Sequence, residues 1–142
     1  MPIATTHVTF SSGPLALEGL LSLPGAAEPS VRVAGVVVCH PPPLYGGDME
    51  NNVVAALADG LAARGMATLR FNFRGVGRSH GVFDHGVGEQ EDARAAWLKD
   101  RRGVVVMATG TGKTEVALSI MRETTASTLV VSPVRDLMYQ WH

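Results

Sequence analysis

The sequence predicts an α/β fold, a mostly parallel sheet with flanking helices that opens with an antiparallel pair of strands. Three observations predict it. The apolar runs "VAGVVVCH", ending at His40, and "GVVVMAT", ending at Thr109, are bounded by turn signals, as strands covered on both faces are. Segments with apolar residues at helical spacing alternate with such runs. Near the start, "HVTFSS" and "LALEGLLSLP" are joined by the turn "SGP", which suits an antiparallel hairpin.

Composition agrees with one globular domain. The 142 residues are 46% hydrophobic and 18% charged, enough to bury a core and too apolar for a disordered chain. The net charge is −1 and no basic run exceeds a pair such as Arg101-Arg102, which argues against nucleic acid as a partner. There is no signal peptide and no apolar run long enough for a membrane, so a reduced, cytoplasmic setting is expected. The single cysteine, Cys39, ends a strand and reads as a buried side chain.

Further elements follow in order. "GAAEPSVR" is a polar loop. "PPPLYGGDMEN" carries three prolines and two glycines and is expected to lack regular structure. "NVVAALADGLAARG" is a helix stopped at Gly65, a C-terminal cap. "MATLRFNF" is a strand and "RGVGRSHGVFDHGVG" a glycine-rich loop. "EQEDARAAWLKDRR" is a helix with acids in its first turn and bases in its last, which complements the macrodipole. After the strand "GVVVMAT" come "GTGKT", the helix "EVALSIMRETT", the strand "STLVVSP", and "VRDLMYQWH", which begins a helix.

The segment "GTGKT" carries its own chemistry. A glycine-rich loop between a strand and a helix N-terminus points successive backbone N–H groups into a concave anion site. Gly110 and Gly112 let the backbone approach a phosphate, flanked by Thr109 and Thr111. Lys113 reaches the β- and γ-phosphates, and the Thr114 hydroxyl ligates Mg²⁺ once a nucleotide is bound. The ligands this loop would take are ATP with Mg²⁺, or phosphate or sulfate, and the fold requires no cofactor. The strict pattern has Gly five residues before Gly112, where this chain has Met107.

Two family resemblances lie end to end. From about residue 7 to 98 the chain resembles the N-terminal half of a bacterial α/β hydrolase of the dienelactone-hydrolase-like kind. The match rests on "VVVCHPPPLYGGDMENNVV", "ATLRFNFRGVGRSHG" and "FDHGVGEQEDARAAWL". That resemblance implies that the "VAGVVVCH" strand lies between "MATLRFNF" and "GVVVMAT". It also implies that the "HPPPLYGG" loop lies near an oxyanion hole. Pro42 stands where the family usually has a second histidine.

The hydrolase pattern then stops. A strand, G-x-S-x-G and a helix are due, and Gly110-Thr111-Gly112-Lys113-Thr114 stands there instead. Ser119 and Ser132 have no elbow glycines around them. The five histidines, His7, His40, His80, His85 and His142, supply no evident substitute for a triad. His40 reads as structural. His80 and His85 share a loop with Asp84 without metal-site spacing.

From about residue 103 to the end the chain resembles the start of a superfamily-two helicase motor. "VVVMATGTGKTEVALSIM" matches its motif I and "TLVVSPVRDLMYQW" the motif Ia region. The resemblance implies that Gln90 contacts adenine. It implies too that the Walker B acids needed for ATP turnover would come later than residue 142, and Asp136 is not a candidate for them. The expected organisation is one composite domain over 1–142, hydrolase-derived to about residue 95 and phosphate-loop-derived from about 96 to 142. The join falls between Glu89 and Arg102, in a helix that suits both parents.

The expected function is a chimeric α/β protein, made by design or selection, without physiological catalysis and retaining a nucleotide or phosphate site. A natural gene fragment, a folded scaffold without ligand and a weak residual esterase are the alternatives. In the helicase the "TLVVSP" strand is not a direct neighbour of the phosphate-loop strand, whereas in the hydrolase the equivalent strands are adjacent. A gap there would leave open sheet edges, so a homodimer or higher oligomer, formed with or without segment exchange, is expected.

Overall fold

The computed structural model describes residues 3–25 and 33–98, together with the strand path of 104–106. Thr109 to Thr114, the helix and strand that follow them, and the closing "VRDLMYQWH" lie outside the described residues. So do the bases expected to close the helix at Lys99 to Arg102.

The chain begins with a hairpin of β1 (Ile3–Ser12) and β2 (Leu15–Pro24), registered from Ile3 opposite Pro24 to Ser12 opposite Leu15. Gly13, at φ 55°, and Pro14 form the turn. A positive φ at the first central position with proline at the second is the pattern of a II′ turn, whose twist matches that of the strands. β1 is longer than "HVTFSS" suggests. The polar stretch Ala4-Thr5-Thr6 shows no apolar alternation, and it is pairing with Leu21 to Leu23 that holds it in the sheet.

β3 (Gly35–Cys39), β4 (Ala67–Phe71) and β5 (Val104–Val106) complete a five-stranded sheet in the order β1-β2-β4-β3-β5. β4 pairs antiparallel with β2 and parallel with β3, and β5 pairs parallel with β3, Val38 opposite Val106. The neighbours expected for the "VAGVVVCH" strand are therefore the ones observed. The fold class is the expected α/β one, with flanking helices and an antiparallel pair at the start, and among the described strands the sheet is mixed, because β2 also pairs antiparallel with β4.

Successive residues of a strand face opposite sides, and β3 uses both. Val36 and Val38 pack with Val54 and Ala58 of α1 (Asn52–Ala62). Val37 and Cys39 join Phe10, Leu17, Leu69, Phe71 and Phe73 against Ala93 and Ala96 of α2 (Val87–Leu98). One helix thus covers each face. Burial holds the Cys39 thiol well above its ordinary range, and the Asp92 carboxylate adds to the effect.

Asn51 caps α1, its side chain accepting from the N–H groups of Val53 at 3.0 Å and Val54 at 3.4 Å. At the other end Met66 N–H reaches Leu61 O and Gly65 N–H reaches Ala62 O, a Schellman pair with Gly65 at φ 86°. Gly65 is the cap that the sequence predicts. The proline-rich loop after β3 is not wholly irregular, because Pro43–Tyr45 makes one 3₁₀ turn. A proline is at ease in such a first turn, where its missing N–H has no partner to lose.

Candidate functional site

The loops that leave the carboxyl ends of β3 and β4 gather at one edge of the sheet, where ligands of open α/β sheets bind. His40 follows β3 and is wholly buried. Its Nε2 accepts from the Phe73 N–H at 3.1 Å, so Nδ1 carries the proton and donates to Pro41 O at 2.7 Å. Desolvation lowers the pKa of the ring, opposed by the Pro41 carbonyl and by Asp48. With both nitrogens held by backbone, His40 joins two loops. It has no free lone pair for general-base work.

Asn72, just after β4, accepts from the Met49 N–H at 2.8 Å and donates to Glu18 Oε1 at 2.7 Å. The same Glu18 oxygen accepts from the Arg78 N–H at 2.7 Å. Ser79 Oγ donates to Asn72 O at 2.6 Å. These bonds fix the loop after β3 and the loop after β4 to each other and to β2.

The entry to α2 is fixed by Glu89. One carboxylate oxygen accepts from the Asp84 N–H and the other from the Gly86 N–H, each at 2.9 Å. Gly86 is the residue before the helix and Glu89 its third, so this is the carboxylate half of a capping box. His85, just ahead, holds a φ of 49°, uncommon for a residue with a side chain. Its ring meets that of Phe83 at 5.0 Å.

Between these loops lies a cavity of about 120 Å³ lined by Pro42, Pro43, Phe73, Phe83, His85, Gly86 and Glu89. Leu44, Tyr45, Val82 and Val87, in the same loops and at the start of α2, are all exposed. Sequence reasoning named His85 and Pro42 but did not assemble this cavity. The Gly86–Glu89 spacing was the signal that could have located its floor.

Gln90, the expected adenine contact, sits half-buried on α2, one residue past Glu89. Thr109, Gly110, Thr111, Gly112, Lys113 and Thr114 lie outside the described residues. Among the described residues, no group of three or more His, Cys, Asp or Glu side chains could hold a metal ion, and no helix is long and apolar enough to cross a membrane.

Comparison with known proteins finds two likenesses. An α/β serine hydrolase homologue from Coxiella burnetii superposes with a TM-score of 0.65 at 32% identity, covering 83% of this chain and 57% of that one. A lidless α/β serine hydrolase from Xanthomonas campestris gives 0.64 at 36% identity, covering 88% and 59%. The family model of the type III restriction enzyme res subunit matches residues 85–142. The chain is also 50% identical over 52 residues to the DNA 3′-5′ translocase XPB2 of Sulfurisphaera tokodaii, covering 37% of this chain and 12% of the relative. The fold is α/β-hydrolase-like, and the sequence from residue 85 onward is similar to a restriction-enzyme res subunit and a DNA translocase.

An uncharacterized protein of Rickettsia prowazekii is 50% identical over 76 residues, which are 52% of this chain and 31% of that protein. The chain thus spans about a third or less of the length of these two curated relatives. The restriction-enzyme match begins at residue 85, just ahead of α2, while the two hydrolase structures cover 83% and 88% of the chain, so the two likenesses overlap.

Proposed function

We propose that this chain is a chimera of two parents, joined by design or selection, with no physiological catalysis and with a phosphate or nucleotide site at Thr109 to Thr114. The observation that carries the reading is where β5 ends. Val106 lies opposite Val38 in a parallel pair, at the carboxyl edge of the sheet, and "GTGKT" follows a few residues later in the sequence. A nucleophile elbow and a phosphate loop occupy the same strand–loop–helix unit, so one can replace the other there without a change of topology. Gly110 and Gly112 would admit the phosphates, Lys113 would pair with them, and Thr114 would hold Mg²⁺ with the nucleotide.

Residual esterase chemistry has less support. The G-x-S-x-G of the sequence, Gly77 to Gly81, lies in the loop after β4, where the Ser79 hydroxyl is buried and bonded to Asn72 O and the Glu18 N–H, and both nitrogens of His40 bond to backbone. We also propose self-association, because β1 is a ten-residue edge strand.

The test is thermal unfolding with and without Mg·ATP, on the unaltered chain and on Lys113→Ala. A ligand present at a hundred times its dissociation constant stabilises a fold by about 2.7 kcal/mol. The melting temperature of the unaltered chain should rise and that of Lys113→Ala should not. No rise in either would leave the alternative, a scaffold that has kept the motif and lost its chemistry.

A further inference from the structure

We propose that the cavity bounded by Pro42, Pro43, Phe73, Phe83, His85 and Glu89 seats an amine-bearing aromatic ring, and that in this chain it takes the base of an adenine nucleotide. The second half of that statement rests on the phosphate site proposed above, while the first half stands on the cavity alone.

Shape comes first. At about 120 Å³ the cavity is well below the roughly 300–1,000 Å³ of sites for drug-sized ligands, so it suits a single ring system. Two prolines, two phenylalanines and a histidine are among the residues that line it. Phe73 is held in place, its N–H bonded to His40 and its ring 4.8 Å from the histidine ring. Phe83, only half-buried and set against the His85 ring at 5.0 Å, is the ring left to stack on a flat guest.

Polarity is next. Glu89 is 4% exposed and lines the same cavity. Each of its oxygens accepts one backbone N–H, and an ionised carboxylate has about four lone-pair sites, so acceptor capacity remains. An acceptor-only group favours a ring that donates, such as one with an exocyclic amine. The same negative charge repels phosphate, so the ring enters first and an attached phosphate chain points outward.

Placement links the two ends. The cavity is built on the loops after β3 and β4, and β5 is the other neighbour of β3. Adjacent strands are about 4.8 Å apart, so the ends of β3 and β4, which carry these loops, lie one and two such steps from the end of β5. A ribose and its phosphates cover a span of that order. The adenine contact expected of Gln90 thereby passes to the side chains around Glu89.

Isothermal titration on the full chain separates the parts, with tripolyphosphate, ATP, ITP (which has a carbonyl in place of the amine) and adenosine as probes. ATP should bind roughly tenfold or more tightly than tripolyphosphate, the scale of one stacked base, and more tightly than ITP. Phe83→Ala should bring ATP down to the tripolyphosphate level and leave tripolyphosphate unchanged. Lys113→Ala should weaken both phosphate ligands and spare adenosine. Equal affinity of the unaltered chain for ATP and tripolyphosphate would overturn the base seat whatever the variants do. Equal affinity for ATP and ITP would overturn the role of Glu89. Adenosine binding without tripolyphosphate binding would sink the phosphate site and keep the cavity, and binding of neither would sink both.

Discussion

Arg74 and Asp92 form an ion pair at 2.9 Å in which the carboxylate is completely buried and the guanidinium side chain is 13% exposed. Asp92 also accepts from Ser12 Oγ at 2.6 Å and from the Arg74 backbone N–H at 3.0 Å. One carboxylate thus ties the end of the hairpin and the loop after β4 to the inner face of α2. The hydrogen bond to Asp92 also raises the pKa of Arg74 above its ordinary value.

Asp92→Asn should be strongly destabilising. The substitution keeps the volume and removes the charge, leaving Arg74 largely buried without its main partner. Breaking a buried pair on one side costs about 3 kcal/mol or more. The urea midpoint should fall accordingly with little change in the slope of the transition. The double variant Arg74→Met, Asp92→Asn should recover part of the loss, because no unpaired charge is left. A single variant within about 0.5 kcal/mol of the original would mean that the pair is not holding these elements together.

His40 gives the stability a pH dependence of known sign. Its folded pKa is lowered from the ordinary 6.5, so the unfolded chain takes up the proton first as the pH falls. The contribution is therefore fully present above pH 6.5 and is lost as the pH drops toward the folded value. Protonation would also set a donor at Nε2 against the Phe73 N–H. Urea midpoints across this range should decline on acidification, and His40→Gln should show a shallower decline. Parallel curves for the two proteins would assign the acid sensitivity to other groups.

Much of this fold was legible because its signals are local. The valines of β3 face both ways with period two, and both faces are covered. The hairpin turn and the Gly65 stop are each encoded within a few residues. The order of β4, β3 and β5 was not local. It came from resemblance, since periodicity does not say which strands are neighbours. Glu89, Asp92, Ala93 and Ala96 lie on the buried side of α2 at helical spacing, but carboxylates ordinarily point to water. Only partners from distant parts of the chain, Ser12 and Arg74 for Asp92, make the inward acid sensible. The cavity was hidden for the same reason. It needs two loops that the sequence separates by thirty residues or more, brought together by His40 and Asn72.

Edge pairing of β1 should make the proposed self-association visible. β1 ends the sheet, its residues Ile3 to His7 are exposed, and the strand has no Lys, Arg, Asp, Glu or Pro. Those residues are the ones that usually blunt an open edge. An antiparallel pair of two β1 strands about a twofold axis satisfies the backbone groups of both copies at once, and closed symmetry stops the assembly at a dimer. Light scattering after size exclusion should give twice the chain mass. His7→Lys with Thr9→Lys sets two charges on one exposed side of the strand, and this variant should elute as a monomer that still unfolds in a single cooperative transition, at a temperature lowered by the loss of the dimer. An unaltered chain that stays monomeric as its concentration is raised would remove the edge as an interface.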